Sequence, residues 1–395
     1  MDELLKILLI EDSDIDADLL VRFLNKQKIK FSCTRVWNAN TFLDEIKSNK
    51  QYDLIIADHN LPQFSGMEAF HICKSLNKNI PFIIVTGSVS EKVLTEYAKE
   101  GVDDYILKDN LLRFPSAIQN LLTKKKIETL NAQLSETNKK LNNAYSDIKD
   151  SIDYARLLQD AILPDKSILK DAFPESFIMF KPKDVLSGDF YWFEKKEDTF
   201  FVSVADCTGH GVPGSLLAMM GNNLINEAVN LKGLSEPSDI LSRLNKQVKR
   251  ILKQDKTSVS DGMDMAFCAI NINNKILTYA GANRPLFIER EKKLIEVKPD
   301  KISIGGIQER TMQFTNHRIQ IQKGDRIFLF SDGYVDQFSE QLNKKITIKR
   351  LRELLIQSAA LSFNDQNQFI VDFFEQWKGT HEQIDDVLLM CISIP

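Results

Sequence analysis

Short, unbroken apolar runs punctuate residues 1–123: ILLI at 7–10, DLIIA at 53–57, FIIV at 82–85 and YIL at 105–107, with a less regular FSCTRV at 31–36. Runs of this length suit strands covered on both faces of a parallel sheet. Helical spacing fills the gaps at 16–25, 67–76 and 93–100. The alternation predicts five βα units and a doubly wound, five-stranded α/β domain over 1–123.

At about residue 124 the period changes. Ile127, Leu134, Leu141, Ile148, Ala155 and Ile162 recur every seven residues, with Leu130, Thr137, Ala144, Ser151 and Leu158 as a second series between them. This is coiled-coil spacing, and no Gly or Pro interrupts it before Pro164. Small and polar residues weaken the second series, and a competing frame runs through Tyr145, Ile148, Ile152 and Ala155, as after a four-residue stutter. The pattern predicts a coiled-coil linker over 124–165 and a parallel homodimer. A solvated single helix is the alternative.

From 166 to 395 strand-like segments return as FFVSVA at 200–205, AFCAINI at 266–272, ILTYAG at 276–281, RIFLFS at 326–331 and VLLMCISI at 387–394. Turns such as Asn273-Asn274 join them, and helical stretches near 215–231 and 238–253 interrupt them. Strands in runs with helices set apart predict an α+β domain, an antiparallel β-sandwich flanked by helices.

The formal net charge of −4 argues against a nucleic-acid partner, and no basic recognition helix follows residue 123. The five cysteines, Cys33, Cys73, Cys207, Cys268 and Cys391, form no C-x-x-C pair and read as free thiols of a reducing compartment. The acidic start MDELLKILLIEDSD does not resemble a signal peptide, and no apolar run approaches the length of a membrane span. The expectation is a cytoplasmic protein with no membrane partner.

Candidate chemistry falls at two places. In the first domain Glu11 and Asp12, Asp58, Thr86 and Lys108 end successive predicted strands, so they share the carboxyl rim of a parallel sheet. Two carboxylates about 4 Å apart repel by roughly 4 kcal/mol at an effective dielectric of 20. The three acids therefore call for a cation, and all-oxygen ligation favours Mg²⁺. IEDSD at 10–14, DLIIADHNLPQFSG at 53–66, VTGS at 85–88 and GVDDYILK at 101–108 together resemble the response-regulator receiver family. The resemblance implies that Asp58 accepts a phosphoryl group from a cognate histidine kinase. It implies Mg²⁺ ligands at Glu11, Asp12, Asp58 and the Asn60 carbonyl, and switch residues at Thr86, Lys108 and Tyr105.

In the third segment Asp206 and Asp332 follow apolar runs, whereas Asp189 and Asp385 precede them. In antiparallel neighbours the end of one strand lies beside the start of the next, so all four can meet at one edge. Clustered carboxylates with few histidines suit two Mg²⁺ or Mn²⁺ ions, which activate water for displacement at phosphorus. SGDFYW at 187–192, VADCTGHG at 204–211, YAGANRPL at 279–286, LFSDGYVD at 329–336 and DDVLL at 385–389 resemble the bacterial, sporulation and stress-response branch of the protein phosphatase 2C (PPM) family. The resemblance implies that Asp206 bridges both ions and that the Cys207 carbonyl binds one. Asp189, Asp332 and Asp385 are the remaining ligands, with Asp386 close by.

Several readings stay open. His210 either donates a proton or is an idle loop residue. Asn283 either contacts substrate or only makes a turn, and Asp264 either joins a third ion or is an ordinary loop acid. Lys181 and Lys183 either bind substrate phosphate or are merely solvated. Cys207 is not followed by the C-x₅-R loop of a cysteine phosphatase. The resemblances imply a phosphoserine or phosphothreonine phosphatase controlled by Asp58. Its substrate would be a phosphorylated partner protein such as an anti-sigma-factor antagonist. A non-catalytic adaptor that only binds a partner is the alternative.

Overall fold

The computed structural model describes residues 4–87, 90–306 and 313–395; Ser88 of the VTGS motif lies outside them. The chain divides into two compact units, one ending at Ala144 and the other beginning at Tyr145.

The first unit runs β1 (Leu5–Ile10), α1 (Asp14–Lys26), β2 (Phe31–Val36), α2 (Ala39–Lys47) and β3 (Leu54–Asp58). A two-residue ladder of β4 (Asn60–Leu61) and β5 (Phe64–Ser65) leads to α3 (Gly66–Ser75), β6 (Phe82–Thr86), α4 (Glu91–Glu100) and β7 (Asp104–Leu107). Its parallel sheet has the order β2-β1-β3-β6-β7. Every residue of β3 and β6 is buried, as expected for strands covered on both faces. On one face Ile7 and Leu9 pack with Leu20, Phe114 and Ile118. On the other, Leu8 and Ile10 pack with Phe42, Phe70 and Tyr97. The Ser13 and Ser65 hydroxyls accept from the amides of Asp16 and Glu68, capping α1 and α3 beside the rim.

The last helix, α5 (Phe114–Ile162), is 49 residues long. Its first turns pack on the sheet through Phe114, Ala117, Ile118 and Leu121, and it continues without a break into the segment expected to be a separate linker. After Pro115 there is no helix breaker until Pro164, so nothing local ends it. Ile127, Leu134, Leu141 and Ile148 of the heptad series are exposed.

The second unit holds two antiparallel sheets. One is formed by β9 (Asp189–Lys196), β10 (Thr199–Cys207), β11 (Gly262–Asn271), β12 (Ile276–Ala282) and β16 (His317–Gln320), with the two-residue β15 (Ile304–Gly305) beside β11. The other has the order β14-β13-β17-β18-β8. Its strands are β8 (Ser176–Lys181), β13 (Leu286–Arg290), β14 (Lys293–Val297), β17 (Arg326–Phe330) and β18 (Val387–Ser393). Val202, Val204, Cys268 and Tyr279 of the first sheet share a core with Ile288, Leu329, Leu388 and Met390 of the second. Helices α7 (Gly211–Asn226) and α8 (Pro237–Ile251) cover the outer face of the first sheet. Helices α10 (Thr347–Ser358) and α11 (Phe363–Lys378) cover the second. The short α6 (Lys166–Ala172) and α9 (Asp332–Asp336) complete the unit.

The sequence pattern anticipates α7 and α8 but not α6, α9, α10 or α11. In α11 the run FIVDFF carries β-branched and aromatic residues that favour strands locally. Burial of Phe363, Ile370 and Phe374 on one face decides for helix. No helix among the described residues is long and apolar enough to cross a membrane.

Candidate functional site

At the carboxyl rim of the first sheet, ligand oxygens of Glu11, Asp12 and Asp58 lie within 4.8 Å of one another. Lys108, just past β7, reaches Asp58 Oδ2 at 3.4 Å and Glu11 Oε2 at 3.5 Å, and also pairs with Asp16 of α1. Burial raises the Asp58 carboxyl above its ordinary range, and Lys108 opposes that rise. Glu11 is raised likewise, against a hydrogen bond from the Ser13 amide. The His59 amide donates to Asp58 Oδ1 at 2.9 Å. Arg35 of β2 braces the acidic loop by donating to the Glu11 and Asp12 carbonyls at 2.8 and 2.9 Å. At Gly66 a Cβ would meet the Asp58 carbonyl oxygen at 2.6 Å, so α3 can start this close to the site only with glycine.

In the second unit the register across β9, β10 and β11 pairs Asp206 with Asp189 on one side and with Asp264 on the other. Directly opposed residues share a face, so three carboxylates form a row. Asp332 opens α9 after β17, and Asp385 precedes β18. Asp206, Asp264, Asp332 and Asp385 line an open cleft of about 260 Å³ with Cys207, Thr208 and Arg284. Asp189 is buried, and its Oδ2 has no hydrogen-bond partner among the described residues. Burial and the neighbouring Asp206 push its carboxyl far up. Asp206 is pushed up to about 8, chiefly by burial, against the pull of Arg284.

The loop before Asp189 is tightly held. Asp386 accepts from the amides of Lys183 and Gly188 at 2.7 and 2.6 Å, so both its oxygens are engaged by backbone. The Ser187 hydroxyl accepts from the Asp189 amide at 3.0 Å. A Cβ on Gly188 would lie 2.5 Å from the Gly209 carbonyl oxygen, which lets this loop approach the one after Cys207.

The stage II sporulation protein E (SpoIIE) family model matches residues 196–395, half of the chain. The chain belongs to the SpoIIE family. A response regulator receiver domain matches residues 7–119, so a receiver domain precedes the SpoIIE/PPM phosphatase domain. The phosphoserine phosphatase RsbU of Bacillus subtilis (strain 168) is 26% identical over 200 residues, 50% of this chain and 56% of RsbU. The cell cycle transcriptional regulator CtrA of Caulobacter vibrioides is 29% identical over 104 residues, 26% of this chain and 44% of CtrA. The chain thus matches only 56% and 44% of the length of these two curated relatives. The solved SiaA-PP2C domain of Pseudomonas aeruginosa superposes with a TM-score of 0.58 at 29% identity, covering 64% of this chain and 99% of that domain.

Asp206, Asp332 and Asp385 line one cleft, Asp189 stands directly opposite Asp206 in the strand register, and Cys207 follows Asp206 at the end of β10. Asp386 stands beside them as a loop clamp. His210 Nδ1 lies 2.5 Å from Asp184 Oδ2, and Lys183 Nζ lies 3.0 Å from His210 Nε2. Lys181 pairs instead with Glu375 of α11. Asn283 adopts a left-handed φ of 57° and donates to Asp264 and Ser303, both at 2.9 Å. In the receiver, Thr86 is buried, Tyr105 half-buried and Asn60 exposed. Residues that sequence reasoning misses are Arg284, Asp16, Arg35 and Gln159. The YAGANRPL motif contains Arg284, but only the turn between β12 and β13, with Asn283 at positive φ, places it among the acids.

Proposed function

We propose that this chain is a receiver-controlled, metal-dependent phosphatase for phosphoserine or phosphothreonine on a partner protein. One observation carries the reading: the buried Asp189 carboxylate presents a partnerless oxygen beside Asp206, in a row of acids that opens to a cleft. Such a group is costly to bury without a cation. The donor set is all oxygen, which suits Mg²⁺ or Mn²⁺. Asp189, Asp206, Asp332, Asp385 and the Cys207 carbonyl would hold two ions. When bound, these supply a water of lowered pKa and positive charge for the phosphoryl oxygens.

The chain's own groups do the rest. Asp206 stands in the middle of the acid row, between Asp189 and Asp264, and would be shared by the ions held there. Asp386 fixes the 183–188 loop and so the position of Asp189. His210, with Nδ1 toward Asp184 and Nε2 accepting from Lys183, orients Lys183, which brings positive charge for the phosphate. Asn283 holds Asp264 in place.

In the receiver, Asp58 takes a phosphoryl group from a cognate histidine kinase. Glu11, Asp12 and the Asn60 carbonyl would hold Mg²⁺ with it, Thr86 and Lys108 would grip the phosphoryl group, and Tyr105 would turn inward. The exposed heptad residues of α5 pair two copies in a parallel coiled coil. The substrate is a phosphorylated partner protein such as an anti-sigma-factor antagonist; likeness to RsbU, a phosphoserine phosphatase, supports phosphoserine as the group removed.

The test is hydrolysis of a phosphoserine peptide by the full chain with Mn²⁺ or Mg²⁺, with and without a small phosphodonor. Asp206→Asn and Asp332→Asn should lower the rate by orders of magnitude while the chain stays folded. Hydrolysis no faster with ions than in chelator, under both donor conditions, would leave the adaptor reading in its place.

A further inference from the structure

Arg284 is the cation of the acidic cleft. Its Nη2 donates to Asp206 Oδ2 and Asp332 Oδ2, both at 2.6 Å, and lies 3.5 Å from Asp264 Oδ2. Among the described residues no other side chain forms an ion pair with these three acids. The guanidinium is largely buried, and its Nε has no hydrogen-bond partner among the described residues. Its backbone is fixed as well: Asn283 takes the left-handed turn, the Arg284 amide donates to the Ala282 carbonyl at 2.7 Å, and its own carbonyl accepts from Tyr279. The chain is thus built to deliver one positive charge to the oxygens that divalent ions would need.

A carboxylate oxygen that holds a guanidinium at 2.6 Å is a poorer ligand for a metal ion, because the guanidinium takes a lone pair and its charge repels the ion. The two occupancies oppose each other, and each weakens the other by the same factor. A displaced guanidinium stays tethered at the cleft wall with its planar fork unpaired. That fork matches phosphoryl oxygens.

We propose that Arg284 is the internal counter-cation of this site. It holds Asp206 and Asp332 while no divalent ion does, yields them when ions bind, and then grips the phosphoryl group in the same cleft. Only the last step rests on the phosphatase reading. Arg284 is a positioning residue in the first role and a substrate contact in the second.

The experiment is calorimetric titration of the full chain with Mn²⁺ alone, comparing the parent with Arg284→Ala and Arg284→Lys. Arg284→Ala should bind Mn²⁺ about tenfold more tightly, because a charge within about 4 Å of the ligands is gone. It should melt lower in chelator and gain more from Mn²⁺ than the parent does. Arg284→Lys, which keeps the charge without the fork, should fall between them and covers the case in which the alanine variant does not fold. Unchanged or weaker Mn²⁺ affinity in the folded variants overturns the counter-cation role. Inorganic phosphate should then bind the Mn²⁺-loaded variants about tenfold more weakly; equal phosphate affinity overturns the second role. A parent that hydrolyses nothing while the Mn²⁺ affinities differ as stated would sink the phosphatase reading and leave the counter-cation standing.

Discussion

Gln159 and Ser187 are joined by two hydrogen bonds. The Gln159 amide donates to the Ser187 carbonyl at 2.7 Å and accepts from the Ser187 amide at 3.0 Å, with both residues buried. The last turn of α5 therefore grips the backbone two residues before Asp189. Two such bonds contribute about 1–3 kcal/mol together. Gln159→Ala should lower the melting temperature of the full chain by several degrees and speed amide exchange at Ser187. Metal-dependent hydrolysis should fall with it. Unchanged exchange at Ser187, read by mass spectrometry, would show that this contact does not hold the loop.

Asp385 and Asp386 are neighbours with opposite expected behaviour. Asp386→Asn removes one of two charge-assisted acceptors for loop amides and should cost about 2–4 kcal/mol of stability. Asp385→Asn relieves repulsion among the acids and should leave the metal-free chain at least as stable, yet abolish activity. Denaturant melts in chelator, paired with rates in Mn²⁺, separate clamp from ligand. Equal stability losses for the two variants would contradict the assignment.

Asp16 competes for the lysine that Asp58 needs after phosphorylation. The Asp16 carboxylate is more than a third exposed, so its pairing with Lys108 amounts to about 0.2–1 kcal/mol after solvent screening. Asp16→Asn should raise the fraction of chain labelled by a limiting phosphodonor by about two- to fivefold. Asp58→Ala should abolish labelling. Intact-mass spectra read both, and no gain in the Asp16 variant would show that Lys108 is not divided between them.

The metal-free chain should lose stability as pH rises through neutrality. The folded Asp206 carboxyl is raised to about 8, and Asp189 is also raised well above its ordinary range, by burial and by its acidic neighbours. The native state therefore binds more protons than the unfolded chain above the ordinary carboxylate range, which makes the slope of stability against pH negative. Melting temperatures in chelator should fall between pH 5.5 and 8. With Mn²⁺ the trend should reverse, because ions bind the deprotonated acids. A rising melting temperature in chelator would overturn this assignment.

Much of this was legible because strands bring distant residues to shared edges. Asp189, Asp206, Asp332 and Asp385 could be read from their positions beside apolar runs, and Glu11, Asp12, Asp58 and Lys108 from successive strand ends. What stayed hidden depends on pairing that no local pattern encodes. Asp264 stands beside Asp206 only because β10 and β11 align in that register. Arg284 turns back toward the acids only because Asn283 adopts a positive φ. Helix α11 carries a strand-like composition that tertiary burial overrides. The change of period at residue 124 leaves α5 unbroken, since helix continuity needs only the absence of a breaker.

The burial of Cys207 bears on the conditions under which the enzyme works. The thiol is sealed at the end of β10, and burial together with Asp206 and Asp189 holds it far above the ordinary thiol range. It therefore stays protonated and is no target for peroxide or alkylating reagents, which attack thiolates. Cys73, Cys268 and Cys391 are buried too, leaving Cys33 as the exposed one. The carboxylate chemistry proposed for this chain uses no thiol, so its hydrolysis should be unchanged by peroxide that would convert a cysteine nucleophile to its sulfenic acid.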